Sequence, residues 1–300
     1  MVRHTILAAA LAALSSAALA GSAPTTEQLE ARLWNSPALA SPYKDNLSEE
    51  EKIAGLSKFW SEVKYNFVYV DKLRELDWDQ LYLDTIPKVR ATKSTAEYYR
   101  VLMALCAKLG DGHTNVYPAK EVWDRELARP LIKTRLVEGR VFVRDLLDEG
   151  LRKSGVVPGT EIVAVDGEPV AAYARREIAP FQSASTPQDL DMRVYSYGFL
   201  VGPVDKRPLV TFRSPEGKTF TLPVTRHDMA GMIKTLVPKA PFEFRMLPGN
   251  VAYVALKSFG KDDAADQFLA AFDQIAKSSA LVIDVRDNGG GNSHVGFRVL

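Results

Sequence analysis

Cysteine is almost missing from this chain. Cys106 stands alone among 300 residues, which excludes an internal disulfide and leaves packing as the source of stability; its apolar helical surroundings read as those of a small buried hydrophobe. An excess of charge of one sign is missing too. With 38 Lys+Arg against 37 Asp+Glu the formal charge is +1, which gives no reason to expect nucleic acid as a partner. Metal-ligand spacing is absent, because His4, His113, His227 and His294 are scattered and no H-x-x-x-H or H-E-x-x-H pair occurs. No metal and no cofactor are therefore expected. After the N-terminal run, no stretch approaches the roughly 20 apolar residues that a membrane helix needs.

That N-terminal run has the three parts of a secretory signal: Arg3 and His4, an Ala/Leu stretch from Ile6, and Ala18-Leu19-Ala20. Residues 1–20 are read as a signal peptide and residues 21–47 as an extended linker, so the mature chain is expected in the periplasm or outside the cell, with no integral membrane segment. The composition, 46% hydrophobic and 25% charged, is ordinary for a globular protein and leaves room for two or three domains.

Residues 48–129 have helical periodicity. Ser48-Glu49-Glu50-Glu51 has the form of a capping box, and Ile53, Leu56, Phe59, Trp60 and Val63 follow at helical spacing. A second helix is predicted from Trp78 to Ile86, stopped by Pro87, and a third from Ser94 through Leu109 to Gly110. Phe59, Trp60, Tyr65, Phe67, Tyr69 and Trp78 are expected to pack in the core of this helical domain. Next comes Leu109-Gly110-Asp111-Gly112-His113-Thr114-Asn115-Val116. A histidine between glycine-flanked turns and a predicted Thr/Val strand is poorly placed for packing and well placed to be exposed, as a general base or as a plain turn residue.

Residues 130–235 change to short β-like runs, Arg140–Val143, Glu161–Val165, Leu209–Phe212 and Lys218–Val224. Turn signals Pro158-Gly159, Asp166-Gly167 and Pro215-Glu216-Gly217 separate them. The insert from Tyr173 to Gly202 reads as a mobile loop near a groove. Residues 236–300 give a strand at Asn250–Phe259, then an amphipathic helix at Asp262–Lys277 with Ala265, Phe268, Leu269, Phe272 and Ile275 inward. A buried strand at Leu281–Val285 completes a β-α-β unit.

The strand breaks into Gly289-Gly290-Gly291 before an apparent helix start at Asn292-Ser293, with Ser293 as the expected cap. Strand, glycine loop and helix form an anion-binding shape, because glycine lets backbone N–H groups approach a ligand closely. The phosphate-loop, dinucleotide and G-x-S-x-G patterns all fail here. Asp284, Arg286 and Asn288 are expected to brace the turn by hydrogen bonds.

Asp284, Arg286, Asn288, Gly290 and Gly291 spell D-x-R-x-N-x-G-G, which closely resembles the signature of the C-terminal-processing (tail-specific) and tricorn-core serine peptidases. The segment Ser154–Val170 resembles the PDZ consensus around its central hairpin, and Leu109-Gly-Asp-Gly-His-Thr114 resembles the secreted branch with L-x-D-G-H-T. The resemblance implies an α+β multidomain fold: an N-terminal helical cap, a PDZ-like β-domain and the beginning of a crotonase-like (ββα superhelix) catalytic core. It implies that the glycine turn supplies backbone donors, Gly290 and Gly291, to an oxyanion. It also implies His113 as general base for a serine beyond residue 300, followed by an acidic residue; a Ser-Lys branch would leave His113 structural. A core that stops after about two strands leaves an unpaired edge, so the chain is expected to be a fragment, inactive alone. The expected partner is a peptide or unfolded protein, taken by its C-terminus. A non-catalytic peptide-binding module and a small-apolar-ligand binder on the same core fold are the alternatives.

Overall fold

Ser48 opens the first helix as the sequence predicts. Its hydroxyl accepts from the Glu51 N–H and its own N–H donates to the Glu51 carboxylate, so two backbone donors at the helix start are satisfied reciprocally. The computed structural model describes residue 25, residues 42–235 and residues 240–300; the expected signal peptide and most of the expected linker lie outside the described residues. Contacts divide the chain into two units, one of Met1–Val122 with Ser183–Ser185, the other of Trp123–Gln182 with Thr186–Leu300.

The first unit is helical: α1 (Glu49–Asn66), α2 (Val70–Glu75), α3 (Trp78–Ala91) and α4 (Thr95–Ala107), with α5 (Lys120–Glu126) running across the division into the second unit. Leu56, Val63, Phe67, Trp78, Val89, Leu102 and Leu109 form its buried centre, each contributing about 1.5–3 kcal/mol by leaving water. Two expectations need correction. Pro87 does not end its helix. Pro87 and Leu83 are both exposed, so the carbonyl deprived of its partner lies on the wet side, while continuing the turn buries Val89 completely. Phe59, Trp60, Phe67 and Trp78 pack as expected, but Tyr65 and Tyr69 lie around the end of α1 and are exposed.

Among the described residues the second unit holds three sheets. β1 (Arg129–Pro130) pairs with β8 (Arg226–His227). The largest sheet runs β2 (Ile132–Val137), β3 (Arg140–Leu146), β4 (Glu161–Val165), β6 (Leu209–Arg213), β7 (Thr219–Pro223), all antiparallel, with β5 (Glu168–Pro169) hairpinned onto β4. Asp166 and Gly167, both at positive φ, make that two-residue hairpin. The short helix α6 (Glu149–Lys153) joins β3 to β4. The insert from Tyr173 to Gly202 is no mobile loop. It folds as α7 (Val170–Glu177), a 3-10 turn, α8 (Pro187–Met192) and a π-turn at Arg193–Tyr197, because Tyr173, Val194, Phe199 and Leu200 are needed in the core beneath the sheet.

After α9 (Met229–Thr235), the third sheet has the order β11-β10-β9, with β9 (Phe242–Leu247) antiparallel and β11 (Ala280–Asp284) parallel to β10 (Val251–Leu256). The helix α10 (Asp263–Ile275) connects β10 to β11, giving the expected β-α-β unit. Its buried face is narrower than predicted: Ala264, Ala265, Phe268 and Ile275 are inside, whereas Leu269 and Phe272 are half exposed. β11 is a strand but not a buried one. It pairs on one side only, and Leu281, Val282 and Ile283 keep 42%, 43% and 45% of their surface open. Among the described residues no helix is long and apolar enough to cross a membrane.

Candidate functional site

The glycine turn hangs between β11 and the short helix α11 (Ser293–Val299). At the end of β11, Asp284 gathers four donors. Arg286 reaches it through Nε (2.9 Å), Nη2 (2.7 Å) and its backbone N–H (3.0 Å), and the Tyr253 hydroxyl donates from β10 at 2.7 Å. Arg286 and Tyr253 together hold the Asp284 carboxyl well below the usual carboxylate range. Two residues further on, Asn288 does the same work with an amide. Its Nδ2 donates to the Leu256 carbonyl (3.1 Å) and its Oδ1 accepts from the Gly290 N–H (2.7 Å), tying the turn to the end of β10.

The last glycines are demanded by geometry. Gly291 has φ of 136° and lies against the Phe259–Gly260 peptide, where an added Cβ would come within 2.2 Å of the Phe259 carbonyl carbon. Phe259 N–H donates to the Gly290 carbonyl (3.0 Å) and the Phe259 carbonyl accepts from Asn292 N–H (2.8 Å). These bonds use the carbonyl of Gly290 and the N–H of Asn292. The Gly291 N–H has no acceptor among the described residues, while the Gly290 N–H is occupied by Asn288. The helix cap is Asn292 rather than Ser293: Asn292 has extended φ/ψ and its Oδ1 accepts from the His294 N–H, so Ser293 becomes the exposed first residue of α11.

His113 belongs to the first unit. α4 ends at Ala107 and Gly110 turns the chain with φ of 58°. The Lys72 ammonium donates to the Gly110 carbonyl (2.8 Å), and Thr114 Oγ1 donates to Asp111 Oδ2 (2.6 Å). The Cys106 thiol donates to the Thr114 carbonyl (3.2 Å), and Asn115 Nδ2 to the Gly112 carbonyl (3.2 Å). From far along the chain, Ser183 Oγ donates to the Asp111 carbonyl (2.7 Å), and Ser185 Oγ accepts from the Gly112 N–H (2.8 Å). Ser183 is 5% exposed. The imidazole itself is exposed and makes no hydrogen bond among the described residues. Thr114–Val116 is extended coil rather than the predicted strand, since Thr114 is spent on Asp111 instead of on a neighbouring strand. Lys72, Ser183, Ser185 and Tyr253 are contributors that sequence reasoning missed; nothing in their local patterns marks them. Among the described residues no three or more His, Cys, Asp or Glu side chains cluster as metal ligands.

The His113 turn of the first unit carries an exposed imidazole that makes no hydrogen bond among the described residues, and the glycine turn of the second unit carries a backbone N–H without an acceptor among them.

No curated protein matches the chain. Among solved structures it is similar to mature CPAF complexed with lactacystin (15% identity, TM-score 0.62, covering 84% of this chain and 58% of that one). It is likewise similar to mature CPAF alone (15%, TM-score 0.58, 81% and 56%). The shared feature is the fold, and the chain spans less than two thirds of the length of either. Residues 250–300, the stretch holding β10, α10, β11, the glycine turn and α11, match the sequence model of Peptidase family S41.

Proposed function

We propose that this chain is the cap, PDZ-like domain and first part of the crotonase-like core of an exported serine peptidase of the C-terminal-processing type. The observation that carries the reading is the braced glycine turn inside the S41-like segment, with its Gly291 N–H free to meet an oxyanion. In the proposed reaction a serine from beyond residue 300 attacks the peptide carbonyl, His113 takes the hydroxyl proton, and the glycine turn receives the negative charge of the tetrahedral intermediate. The bond between acyl carbon and amine then breaks as His113 returns the proton to the leaving nitrogen, and water releases the acyl group by the same steps. Gly290, whose N–H is bonded to Asn288 Oδ1, braces the turn, and Gly291 supplies the backbone donor.

The test uses the full reading frame, purified as the exported protein and treated with a serine-reactive fluorophosphonate. Labelling of a serine beyond position 300, falling about 100-fold or more in His113→Ala, is the expected result, since such residues act as a unit. No labelling in either protein, with peptide binding retained, would leave a peptide-binding module in place of the enzyme.

A further inference from the structure

Asn288-Gly289 is the one Asn-Gly pair in the sequence, and it falls inside the glycine turn. An asparagine followed by glycine can modify itself. The backbone nitrogen of the next residue attacks the side-chain carbonyl carbon, Cγ, and a side chain on that residue would stand in its path; glycine has none. At Gly289 the path is open: an added Cβ would find nothing within 4 Å, and the residue is exposed to the water that the reaction consumes. The attacking group is unengaged as well, since the Gly289 N–H has no acceptor among the described residues.

The Asn288 side chain is already folded over that nitrogen. Its Oδ1 accepts from the Gly290 N–H (2.7 Å), two residues on, which closes a ring containing both Cγ and the Gly289 nitrogen. The same bond puts a backbone donor on the oxygen that becomes negative when the nitrogen attacks. One contact opposes the reaction: Nδ2, the group that leaves, donates to the Leu256 carbonyl (3.1 Å). Breaking it slows the reaction about tenfold at most, the worth of one hydrogen bond.

Other places in the chain have some of these parts and lack others. Asn292 closes the same kind of ring with the His294 N–H (2.9 Å), but the residue after it is Ser293, which has a Cβ and is the first residue of α11. In Asp111-Gly112 the glycine N–H is taken by Ser185 Oγ (2.8 Å), and in Asp166-Gly167 the Asp166 carboxylate is turned to the Leu209 N–H (2.8 Å). Neither aspartate has an amide to expel. Asn288 combines the free nitrogen, the missing Cβ and an amide held over them.

We infer that Asn288 is a site of self-deamidation, through which the glycine turn is dismantled from within. The Gly289 nitrogen bonds to Cγ, the Cγ–Nδ2 bond breaks, and Nδ2 leaves as ammonia with the proton that Gly289 gives up, so that a cyclic imide remains. Water then opens the ring. Opening at Cγ gives aspartate at 288, and opening at the main-chain carbonyl gives isoaspartate, which routes the backbone through the side chain. Either product replaces the donor to Leu256 with an oxygen that its carbonyl repels. The isoaspartate also lengthens the chain ahead of Gly291, which has no room to shift against the Phe259–Gly260 peptide. The modification follows from the turn's own chemistry and does not rest on the peptidase reading.

The experiment incubates the folded 300-residue chain at neutral pH in water enriched in heavy oxygen and follows each asparagine by peptide mass spectrometry. Heavy oxygen marks only residues that react during the incubation, and fragmentation separates aspartate from isoaspartate. Residue 288 should take up the label about tenfold or more faster than Asn250 or Asn292, as the sum of free access and a held geometry. Gly289→Ala, whose methyl meets nothing and leaves the fold intact, should slow residue 288 to the rate of those two and leave theirs unchanged. Aged wild type, enriched in the modified form, should unfold at lower urea than fresh protein, and aged Gly289→Ala should keep its midpoint. Asn288→Asp should reproduce part of the loss without ageing. Label at 288 no faster than at the other two asparagines, or a rate that Gly289→Ala does not change, overturns the inference. So does a folded chain that reacts more than about tenfold slower than the same chain in urea, because the fold would then protect the amide by more than its one opposing bond. An unchanged urea midpoint in the modified chain overturns the claim that the turn is dismantled.

Discussion

The two turns that carry the proposed chemistry are braced in opposite ways. The glycine turn braces itself: Asp284 holds Arg286 and Asn288 holds Gly290, each at a spacing of two, with Tyr253 and the Leu256 carbonyl of the neighbouring strand as anchors. The His113 turn has local bonds from Thr114 and Asn115, yet it also depends on Lys72 and on Ser183 and Ser185, whose sequence separations from it run from 38 to 73 residues. A locally braced turn writes itself into a short motif, whereas a turn held from a distance leaves only its tip, D-G-H-T, in view. Substitutions in the two turns should therefore fail differently.

The largest expected effect is at Gly291. Gly291→Ala would place a methyl against the Phe259–Gly260 peptide at an unfavourable φ, and neither backbone can yield cheaply. The loss should be about 3–5 kcal/mol in urea unfolding, from overpacking plus backbone strain. Gly289→Ala is the control, since its φ is ordinary and nothing lies within 4 Å of the added methyl. It should stay within about 1 kcal/mol of wild type. Equal losses at the two positions would mean that the turn is held by glycine's general freedom and not by the contact with Phe259.

How much could be read beforehand follows the same division. Ser48 and Glu51 sit three apart and the capping box was legible; Asp166-Gly167 is a two-residue hairpin and was legible too. The β11 strand was recognised from its β-branched run, but its exposure was not, because burial depends on what covers a strand and composition cannot report that. The insert was misread because its serines and prolines look like loop residues, while its buried Val194, Phe199 and Leu200 are spaced irregularly around a π-turn that has no simple period. In the candidate site, Asp284 to Gly291 was visible as a motif. Tyr253 and Ser183 were not, since a hydroxyl that reaches across 31 or 72 residues leaves no pattern around itself.

A smaller effect is expected at the distant brace. Ser183→Ala removes a buried donor from the Asp111 carbonyl and should cost about 1–2 kcal/mol, and Ser185→Ala about 0.5–1.5 kcal/mol through the Gly112 N–H. If the two serines position His113, the double variant should also lower kcat more than it raises KM in the proposed full-length peptidase and shift the pH profile of kcat/KM, which loss of stability alone would not do. A double variant with an unchanged pH profile would reduce the serines to plain structural contacts.

The smallest effects concern pH, where the turns should part in sign. Asp284 is held low by Arg286 and Tyr253, so its contribution is complete above the unfolded carboxylate value of about 4 and is lost as pH falls through the folded value. Cys106, next to the His113 turn, is pushed up to about 11, first by burial and further by the Asp111 charge, against the opposing bond from Ser183. Its contribution is complete below the unfolded thiol value of about 8.5 and is lost as pH rises toward 11. Thermal melts of Asp284→Asn and Cys106→Ala against wild type should show differences that shrink at opposite ends of the scale, the first below about pH 4 and the second above about pH 8.5. The same burial predicts that Cys106 reacts with a thiol reagent at pH 8 only at the rate of unfolding. Rapid labelling of the folded chain would mean that the turn carrying His113 opens on its own, and its distant brace would then be weaker than the local one that holds the glycine turn.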